Sequence, residues 1–201
     1  MLSKLISILI ILLPINVYAN DIYISQSGDN IDLDIVQDGQ NNQIEGLSGS
    51  GNAIIYGANS NVSFSQTGDT NQIRVWSDSS SNKNMTANQT GDNNISRIDN
   101  HGADNDIIVS ITGNNNITFD EIGNGGDTNN SVSTTIVGNS NNTIAEVQNG
   151  DSNTIDVNIQ SQDNNIVRVY VNGDNNNAKV WQGKHDCLLY TSPSPRDKRL
   201  S

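Results

Sequence analysis

The sequence predicts an all-β protein, a β-solenoid of stacked strand–turn–strand layers with a cross-β spacing. Three observations predict it. A Gln-x-Gly-x-x-Asn unit recurs about every eleven residues from Ser25 to Gly183. Between the units, apolar residues alternate with polar ones. The amide residues also keep a constant phase relative to that alternation.

The turns come first, because they set the frame. Clear copies are Gln66-Thr-Gly68-Asp-Thr-Asn71, Gln89-Thr-Gly91-Asp-Asn-Asn94 and Gln148-Asn-Gly150-Asp-Ser-Asn153. Worn copies surround Gly102, Gly113, Gly138 and Gly173, and Gly28 and Gly39 open the series. Gly with Asn or Asp supplies the left-handed backbone angles of a tight turn. Where the glycine spacing doubles, Ala58, Ser79 and Gln162 stand at the turn positions. Two segments fit less well: Ser77–Ala87 is the weakest unit, and the Gly123–Asn130 turn is longer than the rest.

The strands follow. Ile31-Asp-Leu33-Asp-Ile35, Ile73-Arg-Val75, Ile107-Ile-Val109-Ser-Ile111, Ile155-Asp-Val157-Asn-Ile159 and Val167-Arg-Val169-Tyr-Val171 have a period of two and many β-branched residues. That is the pattern of a half-buried strand. A helix has no matching 3.6 period here, and Asn and Gly are poor helix formers. Eleven residues fit one strand and one turn, so two units make a layer.

One layer alone would be unstable. Layers stacked about 4.8 Å apart pair their backbone groups and bury a continuous apolar face. Asn153, Ile155, Val157 and Ile159 are two apart and share one face. A buried amide is costly unless bonded. Stacked in register, each C=O accepts from the NH₂ of its neighbour. In Ile144-Ala-Glu146-Val-Gln148 the phase conflicts, because the face that holds Gln148 would bury Glu146. With turns alternating between two edges, one edge is expected to receive Asp78, Asp104, Asp127, Asp151 and Asp174 in successive layers, as an acidic column.

The two ends depart from the repeat. Residues 1–19 read as a secretory signal peptide: Lys4, the apolar run Leu5–Leu13, and Val17-Tyr-Ala19 before Asn20. The run is shorter than the roughly 20 residues a membrane span needs. Residues 187–201 hold the only cysteine and two of the three prolines. A back-translation of Cys187–Asp197 resembles a sequencing adapter, so 187–201 is read as a non-native tail. Residues 20–186 are then the repeat domain.

The chain carries 22 acidic and 10 basic residues. Setting aside Lys4, Arg196, Asp197, Lys198 and Arg199 leaves 21 and 6, a net charge of −15. This opposes nucleic-acid binding and docking on anionic lipid. No cysteine lies in 20–186, so an exported chain must be held by something other than disulfides. No catalytic, cofactor-binding or metal-binding constellation is evident. His101 and His185 read as turn histidines, and the Asp residues recur with the turns. Gly125-Gly126-Asp127 matches a calcium-repeat fragment only once and at the wrong period.

With these residues in view, the chain resembles the curlin-repeat family, the subunits of bacterial curli fibres. Gln26, Gln37, Gln66, Gln89, Gln148 and Gln160 match the family's glutamine position. Asn42, Asn52, Asn61, Asn71, Asn94, Asn105, Asn116, Asn141, Asn153, Asn165 and Asn176 match its asparagine. Glutamine is replaced by Ile111, Ile122, Ile136 or Val171 in several units, which interrupts the amide ladder. The resemblance implies a secreted β-solenoid that assembles end to end into an amyloid-like fibre for adhesion and biofilm matrix. It implies no enzyme activity. It implies self-association, a second curlin-type subunit and an outer-membrane export pore as partners. The family's major subunit has a Gly-rich segment before its repeats, and this chain does not. The minor, nucleating subunit therefore stays open. So does a monomeric secreted solenoid that binds a surface, of the ice-binding or phage-spike kind, although that needs a flat array of one residue type.

Overall fold

The computed structural model describes residues 19–30, 32–46, 51, 53–55, 59–77, 84–100, 102–122, 128–160, 163–183 and 188–191. Of Gln26, Asn100, Gln148 and Leu188–Thr191 it describes the backbone alone. The signal-peptide expectation, Asn52, Ala58, Ser79 and Gln162 lie outside these residues.

The chain is an all-β solenoid whose paired strands are parallel. One sheet begins with the short strands β1 (Asp21–Ile22) and β2 (Ile24–Gln26). It continues through β4 (Gln43–Gly46), β5 (Ala53–Ile55), β7 (Gln72–Ser77), β9 (Ile95–Asn100), β11 (Ile117–Ile122), β13 (Asn142–Asn149), β15 (Ile166–Asn172) and β17 (Leu188–Thr191). The other sheet stacks β3 (Asp32–Asp38), β6 (Asn61–Thr67), β8 (Asn84–Thr90), β10 (Asp106–Thr112), β12 (Ser131–Val137), β14 (Thr154–Gln160) and β16 (Asn177–Gln182) in chain order. From β6 onward the chain alternates strictly between the sheets, one strand each per layer. We refer to them as the long and short sheets.

The period-of-two strands are where the sequence places them. Ile73 and Val75, Ile107, Val109 and Ile111, Ile155, Val157 and Ile159, and Val167, Val169 and Val171 all point inward and are buried. The core is a narrow ribbon of aliphatic residues between the sheets, with Phe64 the one fully buried aromatic among the described residues. Stacking aliphatic columns layer on layer buries apolar area without large side chains, which suits a chain with two phenylalanines.

The turns explain the glycines. Gly28, Gly39, Gly68, Gly91, Gly102, Gly113, Gly138, Gly150 and Gly173 all have positive φ. At Gly113, with φ 132°, a Cβ would also collide with the carbonyl oxygen of Gly138 in the next layer. In most of these turns the residue two after the glycine is left-handed as well, such as Thr70, Asn93, Asn115 and Ser152. Asn, Asp, Ser and Thr with short polar side chains therefore fill that place.

Two irregularities carry consequences. In β13 the pairing with β15 slips between Val147 and Asn149, so Gln148 is an extra, bulged residue. Ala145 and Val147 are buried there, and Glu146 is only half-buried. The bulge resolves the conflict the sequence posed. At the other end, Leu188–Thr191, in the segment read as a tail, pairs with Ile166–Val169 of β15. Main-chain pairing at an open edge selects little for sequence.

Candidate functional site

The part of the molecule built with the most regularity is a pair of asparagine columns at the two rows of turns. In the first, Asn20, Asn42, Asn71, Asn94, Asn116, Asn141 and Asn165 follow one another layer by layer. The backbone N–H of Asn94 donates to Asn71 Oδ1 (3.0 Å), and Asn94 Nδ2 donates to the same oxygen (3.1 Å). Nδ2 also donates to the Gly113 carbonyl at 2.7 Å. In turn Asn94 Oδ1 accepts from Asn116 N and Nδ2, both at 3.1 Å. The Asn94 amide thus makes four bonds and ties three layers, as does that of Asn116, so its burial carries no unpaired group.

The same links run from Asn116 to Asn141 and from Asn141 to Asn165. Asn20 starts the column by accepting from Asn42 N. At its last described member, Asn165, the Oδ1 accepts from Gln182 Nε2 at 2.6 Å. In the second column Asn105, Asn130, Asn153 and Asn176 repeat the pattern. Asn130 was not among the positions the sequence singled out, although its place before Ser131 marks it. Asn61 is exposed, and Ser60 takes the buried place beside it.

The glutamine ladder is shorter than expected. Gln37 Nε2 donates to Gln66 Oε1 at 2.7 Å, and Gln66 Nε2 to Gln89 Oε1 at 3.1 Å. Gln89 Nε2 then turns to Ser96 Oγ and the Gln72 carbonyl. Beyond it Ile111, Ile136 and Ile159 continue the column, so the interruption by isoleucine is real. Gln160 does not belong to it. It is exposed and pairs with Val137, because Ile155, Val157 and Ile159 already occupy the inward face. Gln26 lies on the other sheet, paired with Ile55.

A third, exposed ladder sits outside the asparagines. The side chain one residue after the turn glycine accepts the backbone N–H of its counterpart in the preceding layer. Gln40 N donates to Asp69 Oδ1, Asp69 N to Asp92, Asp92 N to Asn114, Asn114 N to Asn139 and Asn139 N to Asp163. On the opposite edge Thr128 N donates to Asp151 Oδ1 and Asp151 N to Asp174. The acidic column expected there is therefore corrected. Asp151 and Asp174 stack, but Thr128 and not an acid precedes them. Asp104 is the left-handed residue two after Gly102, and Asp78 and Asp127 lie outside the described residues.

One buried group has no counterpart in the sequence reading. Asp120 points into the core between Ile98 and Ala145 of the adjoining strands and is fully buried. Thr134 Oγ1 donates to its Oδ1 at 2.5 Å, and the Thr118 hydroxyl, which donates to Ser96 Oγ, lies on the same inward face. Oδ2 has no partner. Burial pushes its carboxyl up to about 7, and the two threonine hydroxyls offset part of that rise.

The ends of the stack are edges. β3 and β16 close the short sheet, and among the described residues no strand covers the outer side of either. Leu33 and Ile35 on β3 are only partly buried, unlike their counterparts in later layers. Outward, Val36 is 50% exposed and Trp181 66%. No helix among the described residues is long and apolar enough to cross a membrane. Compared with family models, curated proteins and solved structures, the chain matches none.

Proposed function

We propose that this chain is a secreted structural subunit that self-assembles into curli-like, amyloid-like fibres serving cell adhesion and biofilm matrix. No residue does chemistry in this reading; assembly is the activity. The observation that carries it is the asparagine column from Asn20 to Asn165, which runs through a stack whose short-sheet edges no described strand covers. Soluble proteins ordinarily block such edges. A column that satisfies itself layer by layer gains from every layer added, whichever chain supplies it. The partners are further copies of the chain, a second curlin-type subunit that nucleates or is nucleated, and an outer-membrane export pore. The test is incubation of the purified protein at neutral pH. Fibres that bind thioflavin T and diffract at about 4.8 and 10 Å are expected. A monodisperse monomer that persists for days defeats the reading.

One observation favours a second reading, a monomeric module that binds an ordered, uncharged surface. The outer face of the short sheet carries Ser63, Ser65 and Thr67, then Thr86, Asn88 and Thr90, then Ile108, Ser110 and Thr112, then Ser133 and Thr135, in register across β6, β8, β10 and β12. The outward positions are mixed over the whole molecule, but this patch has no charge. Inhibition of ice recrystallisation by the monomer, abolished by Thr90→Lys, would support this reading against the fibre.

A further inference from the structure

The two ends of the short sheet complement each other residue by residue. In-register pairing runs Asp32, Asn61, Asn84, Asp106, Ser131, Thr154 and Asn177 down one column, and the five neighbouring columns follow suit. If the stack continued into a second copy with the same register, Asn177 would meet Asp32, Ala178 Leu33, Lys179 Asp34, Val180 Ile35, Trp181 Val36 and Gln182 Gln37. We infer that β16 of one copy docks on β3 of the next in this parallel register, head to tail. The inference rests on the fibre reading and specifies its contact.

Four features of the ends support it. Lys179 Nζ already pairs with Asp156 Oδ2 at 3.2 Å in the layer below. Docking places Asp34 of the second copy on its other side, so the lysine would stand between two acids. Trp181 and Val36 are the most exposed of the large apolar residues described, and they fall opposite each other. Burying both removes apolar area that the monomer leaves in water. Leu33 and Ile35, partly buried on β3, would receive Ala178 and Val180. Finally, the ladder has a direction: each glutamine Nε2 donates toward the C-terminal end. Gln37 Oε1 is buried without a partner, and it faces the side from which a donor in a preceding layer would come. Gln182 of the second copy holds that column position. Head-to-head or tail-to-tail contacts offer none of these matches. Head-to-head contact would bring the Asp32, Asp34 and Asp38 of two copies together, and tail-to-tail contact would bring two copies of Lys179 together.

The long sheet sets a condition. Between β15 of one copy and β4 of the next there is one strand place. β1 fills it from one side, pairing Asp21 with Gln43, and β17 from the other, pairing Ile166 with Leu188. The two strands therefore compete, and one must yield when the ends join.

The contact is tested by cross-linking in the full chain with Cys187→Ser as parent. Val36→Cys and Trp181→Cys are introduced together, fibres are grown, oxidised and dissolved in denaturant. Paired strand positions lie within the Cα separation a disulfide tolerates. The expected result is a covalent ladder of multimers, with far less from the out-of-register pair Val36→Cys and Lys179→Cys. Fibres without the ladder overturn the register and leave the fibre reading standing. Covalent dimers from Val36→Cys alone would mean head-to-head contact and overturn it too. A Cys187→Ser parent that makes no fibres defeats both. As an independent readout, Lys179→Glu should slow seeded elongation about two- to five-fold, the range of an exposed ion pair, and Asp34→Lys in the same chain should restore it. Failure of the restoring change contradicts the pairing.

Discussion

Among the described residues Asp120 is the carboxyl that burial raises furthest, and its effect on stability can be worked through. Its carboxyl titrates at about 7 in the folded chain and near 3.8 when exposed. Between those values the folded state holds a proton that the unfolded state has released. Stability therefore falls as pH rises from about 4 to 7, and it is flat on either side. This is the reverse of a salt-bridged aspartate, whose contribution is lost on acidification. The span of about three pH units corresponds to about 4 kcal/mol, at about 1.4 kcal/mol per unit. That is a large share of the stability of an ordinary domain. No other ionisable side chain points into the described core beside it. Arg97, Asp99, Glu121 and Glu146 on its own and adjoining strands lie at alternate positions, on the outer side of the long sheet, and β12 has none. Asp106, on β10, is half-buried, and burial raises its carboxyl as well. The perturbation is Asp120→Asn, which keeps the shape and an acceptor while removing the charge. The assay is denaturant unfolding of monomer from pH 4 to 9. Self-repulsion of the acidic chain affects both proteins alike, so the difference between them isolates Asp120. The variant should gain on the parent as pH rises, by up to about 4 kcal/mol, and the gain should stop growing above about pH 7. A difference that does not change with pH refutes the reasoning.

Three further outcomes follow from the columns and the ends. Asn94→Ala removes four hydrogen bonds and strands the buried N–H of Asn116, so it should cost about 2–4 kcal/mol in denaturant unfolding, whereas Gln160→Ala, an exposed change, should stay within about 0.5. Gly113→Ala meets both a backbone angle reserved for glycine and the Gly138 carbonyl, and should cost at least about 3 kcal/mol; a near-neutral result would mean the layers sit further apart than described. Deleting residues 187–201 removes the competitor for the place beside β15, so seeded elongation should quicken; slower elongation would make β17 part of the growing end.

The solenoid was legible because two signals agreed along most of the chain: an apolar period of two, and glycines at turns that only glycine can make. The asparagine columns were legible for the same reason, since most of their asparagines, Asn20, Asn130 and Asn165 excepted, follow a turn glycine by three residues. What failed were positions reached by counting across an insertion. The turn after β14 holds one residue more than the turn after β12, since Gln160 and Asn165 correspond to Val137 and Asn141. A register taken from motif spacing alone therefore puts Gln160 in the ladder. The same spacing counts across Gln148, the extra residue of the β13 bulge.

Asp120 was hidden for a deeper reason. In Ile117-Thr-Phe119-Asp-Glu121-Ile122 hydrophobicity alone would turn Ile117 and Phe119 inward. The fold does the opposite: Thr118, Asp120 and Ile122 are buried, Ile117 is exposed, and Phe119 lies outside beneath the Arg97 guanidinium, 4.1 Å from its ring centre. The same inversion occurs one layer earlier, where Ser96 and Ile98 are buried and Ile95 is not. In both strands the phase follows the preceding asparagine, Asn116 or Asn94. A one-residue slip would turn every side chain of the strand over and pull its asparagine out of a column bonded on both sides. Four bonds per amide, shared with two neighbouring layers, outweigh the local preference of one isoleucine and one phenylalanine. The register of each layer is thus imposed by the layers beside it, and the acid at 120 is buried as a consequence of that rule. The same rule would let an established stack impose its register on an arriving chain.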